Sequence, residues 1–140
     1  MNSEHYSQIG KAQPQIDGLA KATGEAKFAA DLVLPRMLIG KLLGSPYPHA
    51  RVLNVDASRA LALKGVKAVV TGKDVTGKKY GSFSSRRDET GLTVKARYIG
   101  DPLAALAAVD EETAMEALEL ITVDYEILPA ELDPEEALKE

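Results

Sequence analysis

Three hydrophobic periodicities follow one another without a gap between residues 92 and 130. Leu92, Val94, Ala96 and Tyr98 alternate with Thr93, Lys95 and Arg97, a period of two that predicts a half-buried strand. Gly100-Asp101-Pro102 ends that run, and residues 103–109 are wholly apolar. Asp101 as a cap and Pro102 as first helical residue would suit a helix. Such a helix would have fewer than two turns, and Asp110-Glu111-Glu112 offers a fresh helix start. A buried strand over 103–109 is therefore the expectation. From Asp110 the apolar spacing changes to three and four, through Ala114, Ala117, Leu118 and Ile121, which is one face of a helix. Residues 121–128 alternate again, as a strand that closes at Pro129.

Upstream the pattern is more punctuated. Residues 37–44 predict a strand in which Gly40 and Gly44 mark a bulge or a close backbone approach. Pro46 and Pro48 impose an extended turn, and Val52 and Val55 lie on a short second strand. Asp56 is placed to cap a helix over 57–63, which Gly65 can end in the left-handed conformation. Val66-Lys67-Ala68-Val69-Val70-Thr71 is a β-branched strand. Residues 72–91 form a long polar loop, broken at most by one helical turn at 73–75; loops of this length in a compact domain are often functional. Residues 1–15 are polar and aperiodic, which predicts a flexible N-terminal arm, with the folded domain over 16–140. Within the domain, residues 17–24 read as a turn-rich entry, with Phe28, Leu32 and Leu34 as its apolar anchors to the core.

Composition narrows the chemistry. A chain of 140 residues fits one domain and buries enough surface to fold without a disulfide or metal. There is no cysteine, so thiolate zinc sites, iron–sulfur ligation and cysteine nucleophiles within this chain are excluded. A net charge of −4 argues against a general nucleic-acid binder. No run approaches the roughly 18 apolar residues of a membrane span, and the N-terminus lacks the apolar centre of a signal peptide. A soluble, cytoplasmic protein is the expectation.

Candidate sites are few. Gly72-Lys73-Asp74-Val75-Thr76-Gly77-Lys78-Lys79 nearly matches the phosphate-binding loop G-x-x-x-x-G-K-[ST]. Lys79 stands where a magnesium-ligating hydroxyl belongs, and Tyr80-Gly81-Ser82-Phe83 is a poor helix start for cradling phosphate. A basic surface loop is the better reading. His5 lies in the arm and His49 in a Pro-flanked turn, neither with an acidic neighbour at ligand spacing. Gly81-Ser82-Phe83-Ser84 is not a nucleophile elbow. Glu111, Glu112, Glu116 and Glu119 fall on the solvated face of the predicted helix. Lys78, Lys79, Arg86 and Arg87 with Tyr80 and Phe83 make a basic-aromatic loop, suited to docking on another protein domain or holding a small anion.

Four blocks carry a family resemblance. They are Ile16-Asp17-Gly18-Leu19-Ala20-Lys21-Ala22-Thr23-Gly24-Glu25-Ala26-Lys27-Phe28, then Ser45-Pro46-Tyr47-Pro48-His49-Ala50-Arg51-Val52. Arg97-Tyr98-Ile99-Gly100-Asp101-Pro102-Leu103-Ala104-Ala105 and Val123-Asp124-Tyr125-Glu126-Ile127-Leu128-Pro129-Ala130 complete the set. In this order and spacing they resemble the N-terminal α/β-hammerhead domain of the molybdopterin-binding large subunit of the xanthine dehydrogenase/aldehyde oxidase family. The resemblance covers nearly the whole chain, although Gln15 stands where relatives often carry a basic residue. It implies an α/β (α+β) fold with a mixed sheet and two main helices. It also implies an oxidoreductase that hydroxylates a heterocycle or aldehyde carbon with water. Molybdopterin would sit in a C-terminal molybdopterin-binding domain, and iron–sulfur and FAD groups on partner subunits or domains. In the family the pterin contacts and the catalytic glutamate lie downstream of this domain. The resemblance therefore implies no catalytic, cofactor-binding or metal-binding residue here, and a chain inactive alone. The loop over 78–91 would approach the substrate channel, with Tyr80 and Phe83 at its entrance or packed on the absent domain. Two other functions stay open at this level: a stand-alone interaction module, and a nucleotide binder through Gly72 to Lys79.

Overall fold

A computed structural model of the chain describes residues 8–75, 79 and 90–139. The chain divides into two compact units, Met1–Pro35 and Arg36–Glu140.

The first unit holds a short helix, α1 (Gly18–Thr23), where the punctuation of Gly18 and Gly24 had predicted only turns. Ala20, Lys21 and Ala22 are good helix formers. Asp17 and Lys21 pair across one turn at 2.6 Å, and Gly24 closes the helix with φ 77°. A 3₁₀ turn follows over Ala29–Asp31, where the Asp31 carboxylate accepts from the Phe28 amide at 2.9 Å. The expected anchors are not buried: Phe28 is 57% exposed, and Leu32 and Leu34 are likewise open. Apolar spacing alone could not distinguish a buried anchor from a surface apolar residue, which is common in folded proteins.

The second unit is built from β1 (Ile39–Gly44), β2 (Ala50–Asp56), α2 (Ser58–Ala62), β3 (Val66–Thr71), β4 (Lys95–Ala96), β5 (Pro102–Ala108), α3 (Glu111–Glu119) and β6 (Thr122–Ile127). In place of one mixed sheet, the described strands form two three-stranded sheets, ordered β1-β5-β3 and β4-β2-β6, with every pairing antiparallel. The apolar stretch predicted as a strand over 103–109 supplies the central strand of the first sheet. Local helix-start chemistry at Asp101-Pro102 loses because β5 is hydrogen-bonded along both edges and its inner face packs Leu106 and Ala108 against α2 and α3.

Helix α3 begins where Asp110 accepts from the Thr113 amide at 2.8 Å. Its Ala114 and Ala117 lie against Leu106, Ala108 and Ala60, with Ile121 closing the cluster. Small side chains let the helix come close to β5. A second cluster joins Val52, Ala96 and Leu103, and Val55 and Val123 border both. Helix α2 is shorter than expected. Asp56 ends β2, and its carboxylate caps from one residue earlier by accepting from the Ser58 amide at 2.9 Å. The single helical turn allowed at 73–75 is instead a turn closed by Asp74 N–H donating to Thr71 O at 3.0 Å.

The alternating run at 92–98 yields only the two-residue β4. Thr93 Oγ1 donates to Lys95 O at 2.8 Å and accepts from Lys95 N at 3.1 Å. At the other end, Asp101 Oδ2 accepts from Arg97 N at 3.0 Å. Side chains thus take the backbone groups that a longer ladder would use. Two strand crossings need glycine. A Cβ on Gly44 would stand 2.9 Å from Gly100 Cα, and one on Gly72 would stand 2.7 Å from Thr93 O. The β1–β5 register shifts at Leu43/Gly44, as a bulge at Gly44 predicted, whereas Gly40 has ordinary room.

Candidate functional site

A sheet that faces water on one side alternates apolar inward and polar outward. The second sheet follows this rule except at its bulge, where Leu53 is 54% exposed. Its outward positions pair Arg51 with Glu126, Asn54 with Asp124 and Asp56 with Thr122, and the Arg51 guanidinium donates to the Glu126 carboxylate.

The first sheet does not. Residues paired across an antiparallel ladder share a face, so Ile39, Leu106, Ala108 and Val69 point to α2 and α3. The opposite face carries Leu42, Ala105 and Val70 in one row and Gly40, Ala107 and Ala68 in the next. All six are apolar or glycine, in a chain with 27% charged residues. Leu42 is 61% exposed and Val70 is 42% exposed. The one lysine within β1 lies on the covered face, where Lys41 Nζ reaches Glu111 Oε1 at 2.6 Å. An apolar, small-residue sheet face, with Lys67 at the bulge on its edge, suits close packing against another protein surface. The sequence held a signal for it: a strand apolar at seven successive positions needs cover on both sides.

A second feature is a cleft of about 490 Å³. Its walls are the Pro48-His49 turn, the segment from Lys95 to Ile99, and the stretch Ala130-Glu131-Leu132. The walls are held by backbone bonds: Leu128 N donates to His49 O at 3.0 Å and Gly100 N to Ser45 O at 2.8 Å. Ser45 N donates to Asp101 O at 2.9 Å, and Asp101, only 7% exposed, in turn fixes the Arg97 backbone. His49 Nδ1 contacts the Pro129 carbonyl, so this histidine fastens the turn to the strand exit instead of standing free as a base. Tyr47 meets Tyr125 edge to face at 5.0 Å. Burial, and then the negative charge that Tyr47 carries once it ionises, hold the Tyr125 phenol above its ordinary pKa.

Other sequence candidates fall outside these features. Tyr80 and Phe83, with Lys78, Arg86, Arg87 and His5, lie outside the described residues. The Gly72 amide donates to Leu103 O at 3.2 Å, so it is spent on strand packing and does not face a phosphate. Asp74 accepts from the Thr71 amide and hydroxyl at 2.7 and 2.8 Å, bonds that lower its pKa. Glu111, Glu112, Glu116 and Glu119 are exposed along α3. Among the described residues no three His, Asp or Glu side chains converge as metal ligands. With no cysteine in the sequence, the chain offers no thiolate for an iron–sulfur cluster, and no chemical step is assigned to these residues. No helix among the described residues is long and apolar enough to cross a membrane.

Residues 23–129 match the family described as "Aldehyde oxidase and xanthine dehydrogenase, a/b hammerhead domain". A probable xanthine dehydrogenase subunit of Bacillus subtilis (strain 168) is 45% identical over 123 residues, spanning 88% of this chain and 16% of that protein. The nicotinate dehydrogenase large molybdopterin subunit of Eubacterium barkeri is 37% identical over 135 residues, 96% of this chain and 32% of its own length. Among solved structures, aldehyde oxidoreductase from Desulfovibrio gigas superimposes with a TM-score of 0.82 at 32% identity, covering 91% of this chain and 15% of that one. The chain thus spans less than a third of the length of each of these relatives.

Proposed function

This chain belongs to the α/β-hammerhead domain family of aldehyde oxidases and xanthine dehydrogenases, and we propose that it is the structural and docking domain of a molybdenum hydroxylase large subunit. The observation that carries this reading is the apolar outer face of the β1-β5-β3 sheet, where Leu42 and Val70 are exposed beside the half-buried Ala105 and Ala107. On this reading the face is covered by the molybdopterin-binding part of the subunit. That part carries out hydroxylation of a heterocycle or aldehyde carbon with water, and iron–sulfur and FAD partners take the electrons onward. Support comes from relatives named as a molybdopterin subunit and as a molybdenum-binding subunit. The same reading locates the protein in the cytoplasm and sets Tyr80 and Phe83 at the entrance to the substrate channel.

A chimera tests the proposal. The hammerhead segment of the Bacillus subtilis relative is replaced by this chain, and hydroxylation of xanthine is measured. Retained activity is expected, with Leu42→Glu abolishing assembly of the chimera while leaving the free chain folded. A chimera indifferent to Leu42→Glu contradicts docking through this face, and hydroxylation by the free chain contradicts the whole assignment.

A further inference from the structure

Two three-stranded sheets leave four edge strands among the described residues, and the four are not alike. β4 has two residues. β3 is bulged at Lys67, and β1 holds two glycines and the inward-facing Lys41. Shortness, bulges and inward charges keep an edge from pairing, and glycine weakens a strand. β6 has none of these. Its six residues keep one alternation throughout, since the extra residue of its ladder, Leu53, belongs to β2. We propose that the free edge of β6 accepts an extended segment of another polypeptide as a further strand, one that alternates apolar residues with lysine or arginine.

The backbone is available for it. Leu128 N donates to His49 O at 3.0 Å, which turns Leu128 toward the β2 side. Successive residues of an antiparallel strand aim their N–H and C=O to opposite sides, so Tyr125 and Ile127 aim theirs at the free edge. Val52, opposite Tyr125, confirms the phase: its N–H goes away from β6, to Val94 O at 2.9 Å. Among the described residues no hydrogen bond reaches these outward groups. Those beyond Pro129 stay within the tail, as from Ala137 N to Asp133 O.

The side chains set what the added strand must carry. Val123, Tyr125 and Ile127 share the inner face with Val55, Val52 and Ala50. Across that ladder exposure rises from 0% at Ala50 to 63% at its partner Ile127, and Tyr125 is only half-buried. Apolar residues on a further strand would remove that surface from water. The outer face carries Asp124 and Glu126. Glu126 is paired with Arg51, whereas Asp124 lies opposite Asn54 and joins no ion pair among the described residues. A second copy of β6 does not fit. Antiparallel pairing centred on Asp124 sets it against its own copy, and pairing centred on Tyr125 sets it against Glu126. Like charges directly opposite are destabilising, and opposite charges there are favourable.

The test uses the 140-residue chain, labelled with ¹⁵N, at low salt, where exposed charges are least screened. The probes are the peptide acetyl-Thr-Lys-Val-Lys-Val-Lys-Thr-amide and its counterpart with glutamate for lysine. The basic peptide should shift the amides of Tyr125 and Ile127 saturably and slow their hydrogen exchange. The acidic peptide should bind about fivefold more weakly. Asp124→Lys, at an exposed position, should narrow or reverse that preference. Equal binding of the two peptides to the unaltered chain overturns the inference. So does a shift without slowed exchange at Tyr125 and Ile127, or no saturable shift along β6. Movement of the β6 amides on diluting the chain alone would give the edge to a second copy, and overturns it as well. The edge is read on this chain by itself, so the outcome is independent of docking through the β1-β5-β3 face.

Discussion

Replacing Gly72 by alanine should cost about 2 kcal/mol of stability, a figure that follows from one backbone crossing. The new Cβ would lie 2.7 Å from Thr93 O, 2.9 Å from Thr93 C and 3.0 Å from Val94 Cγ1, where ordinary contact begins near 3.4 Å. The obstacle is main chain, so rotating a side chain cannot relieve it. Thr93 N donates to Pro102 O at 2.8 Å, and Val52 N donates to Val94 O at 2.9 Å. Moving residues 93–94 outward stretches both bonds, and moving Gly72 stretches its own bond to Leu103 O at 3.2 Å. Losing one or two bonds at about 0.5–1.5 kcal/mol each, or overpacking at about 1–3 kcal/mol, gives the same answer. Equilibrium urea unfolding should then show the midpoint lowered by about 1 M, taking a slope of about 2 kcal/mol/M. Gly40→Ala is the control. Its Cβ would meet nothing nearer than Leu106 O at 3.9 Å, and losing a strand glycine should leave stability unchanged or raise it by up to about 1 kcal/mol. A Gly72→Ala midpoint equal to wild type would refute the packing argument. If the same variant also lost binding to ATP, Gly72 would belong to a phosphate loop after all.

Three further outcomes follow from the same contacts. Leu103→Ala should cost about 2–5 kcal/mol by urea unfolding, because Leu103 is fully buried in the cluster with Val52 and Ala96 and leaves a cavity. Asp101→Ala should cost about 1–3 kcal/mol by urea unfolding, because it leaves the Arg97 amide without its acceptor. Acid should destabilise the chain through Asp56, Asp74 and Asp110. Each accepts a hydrogen bond from the amide of a neighbouring Ser or Thr, and Asp74 also from the Thr71 hydroxyl, which holds its folded pKa below the ordinary carboxylate value. That contribution is complete above the unfolded pKa of about 3.9 and is lost as pH falls through the lowered folded values. Urea midpoints should therefore drop from pH 5 to pH 3, and less so in Asp110→Asn.

Legibility in the sequence followed how local each decision was. Helix α3 was readable because Asp110, the following glutamates and the three-four apolar spacing all agree, and all act within one turn. Strand β5 was readable from seven apolar residues, although its local chemistry allowed a helix. What failed depended on distant or side-chain partners. The run at 92–98 alternates like a strand, yet Thr93 and Asp101 divert its backbone groups, and no pattern of hydrophobicity records that. The division into two antiparallel sheets is a matter of pairing, which spacing cannot display. Glycines at 18 and 24 hid α1 because five residues between punctuators look like a turn. The candidate site was the least legible part. Its sheet face is made of residues ordinary in themselves, such as Leu42 and Val70, and only the register shows that they stand together. The residues whose types advertise chemistry, basic and aromatic, belong to another stretch of the chain, at 78–87.

The central claim is that this domain meets the rest of its subunit through the open face of the β1-β5-β3 sheet. Having no cysteine, the chain permits a direct measurement of that face. Leu42→Cys, and Arg51→Cys on the polar face of the other sheet, are exposed to a maleimide in the free chain and in the Bacillus subtilis chimera, with labelling followed by peptide mass spectrometry. The account predicts that Leu42→Cys labels quickly in the free chain and many-fold more slowly in the chimera, while Arg51→Cys stays reactive in both. Equal labelling of Leu42→Cys in the two settings, in a chimera that is active, would contradict it.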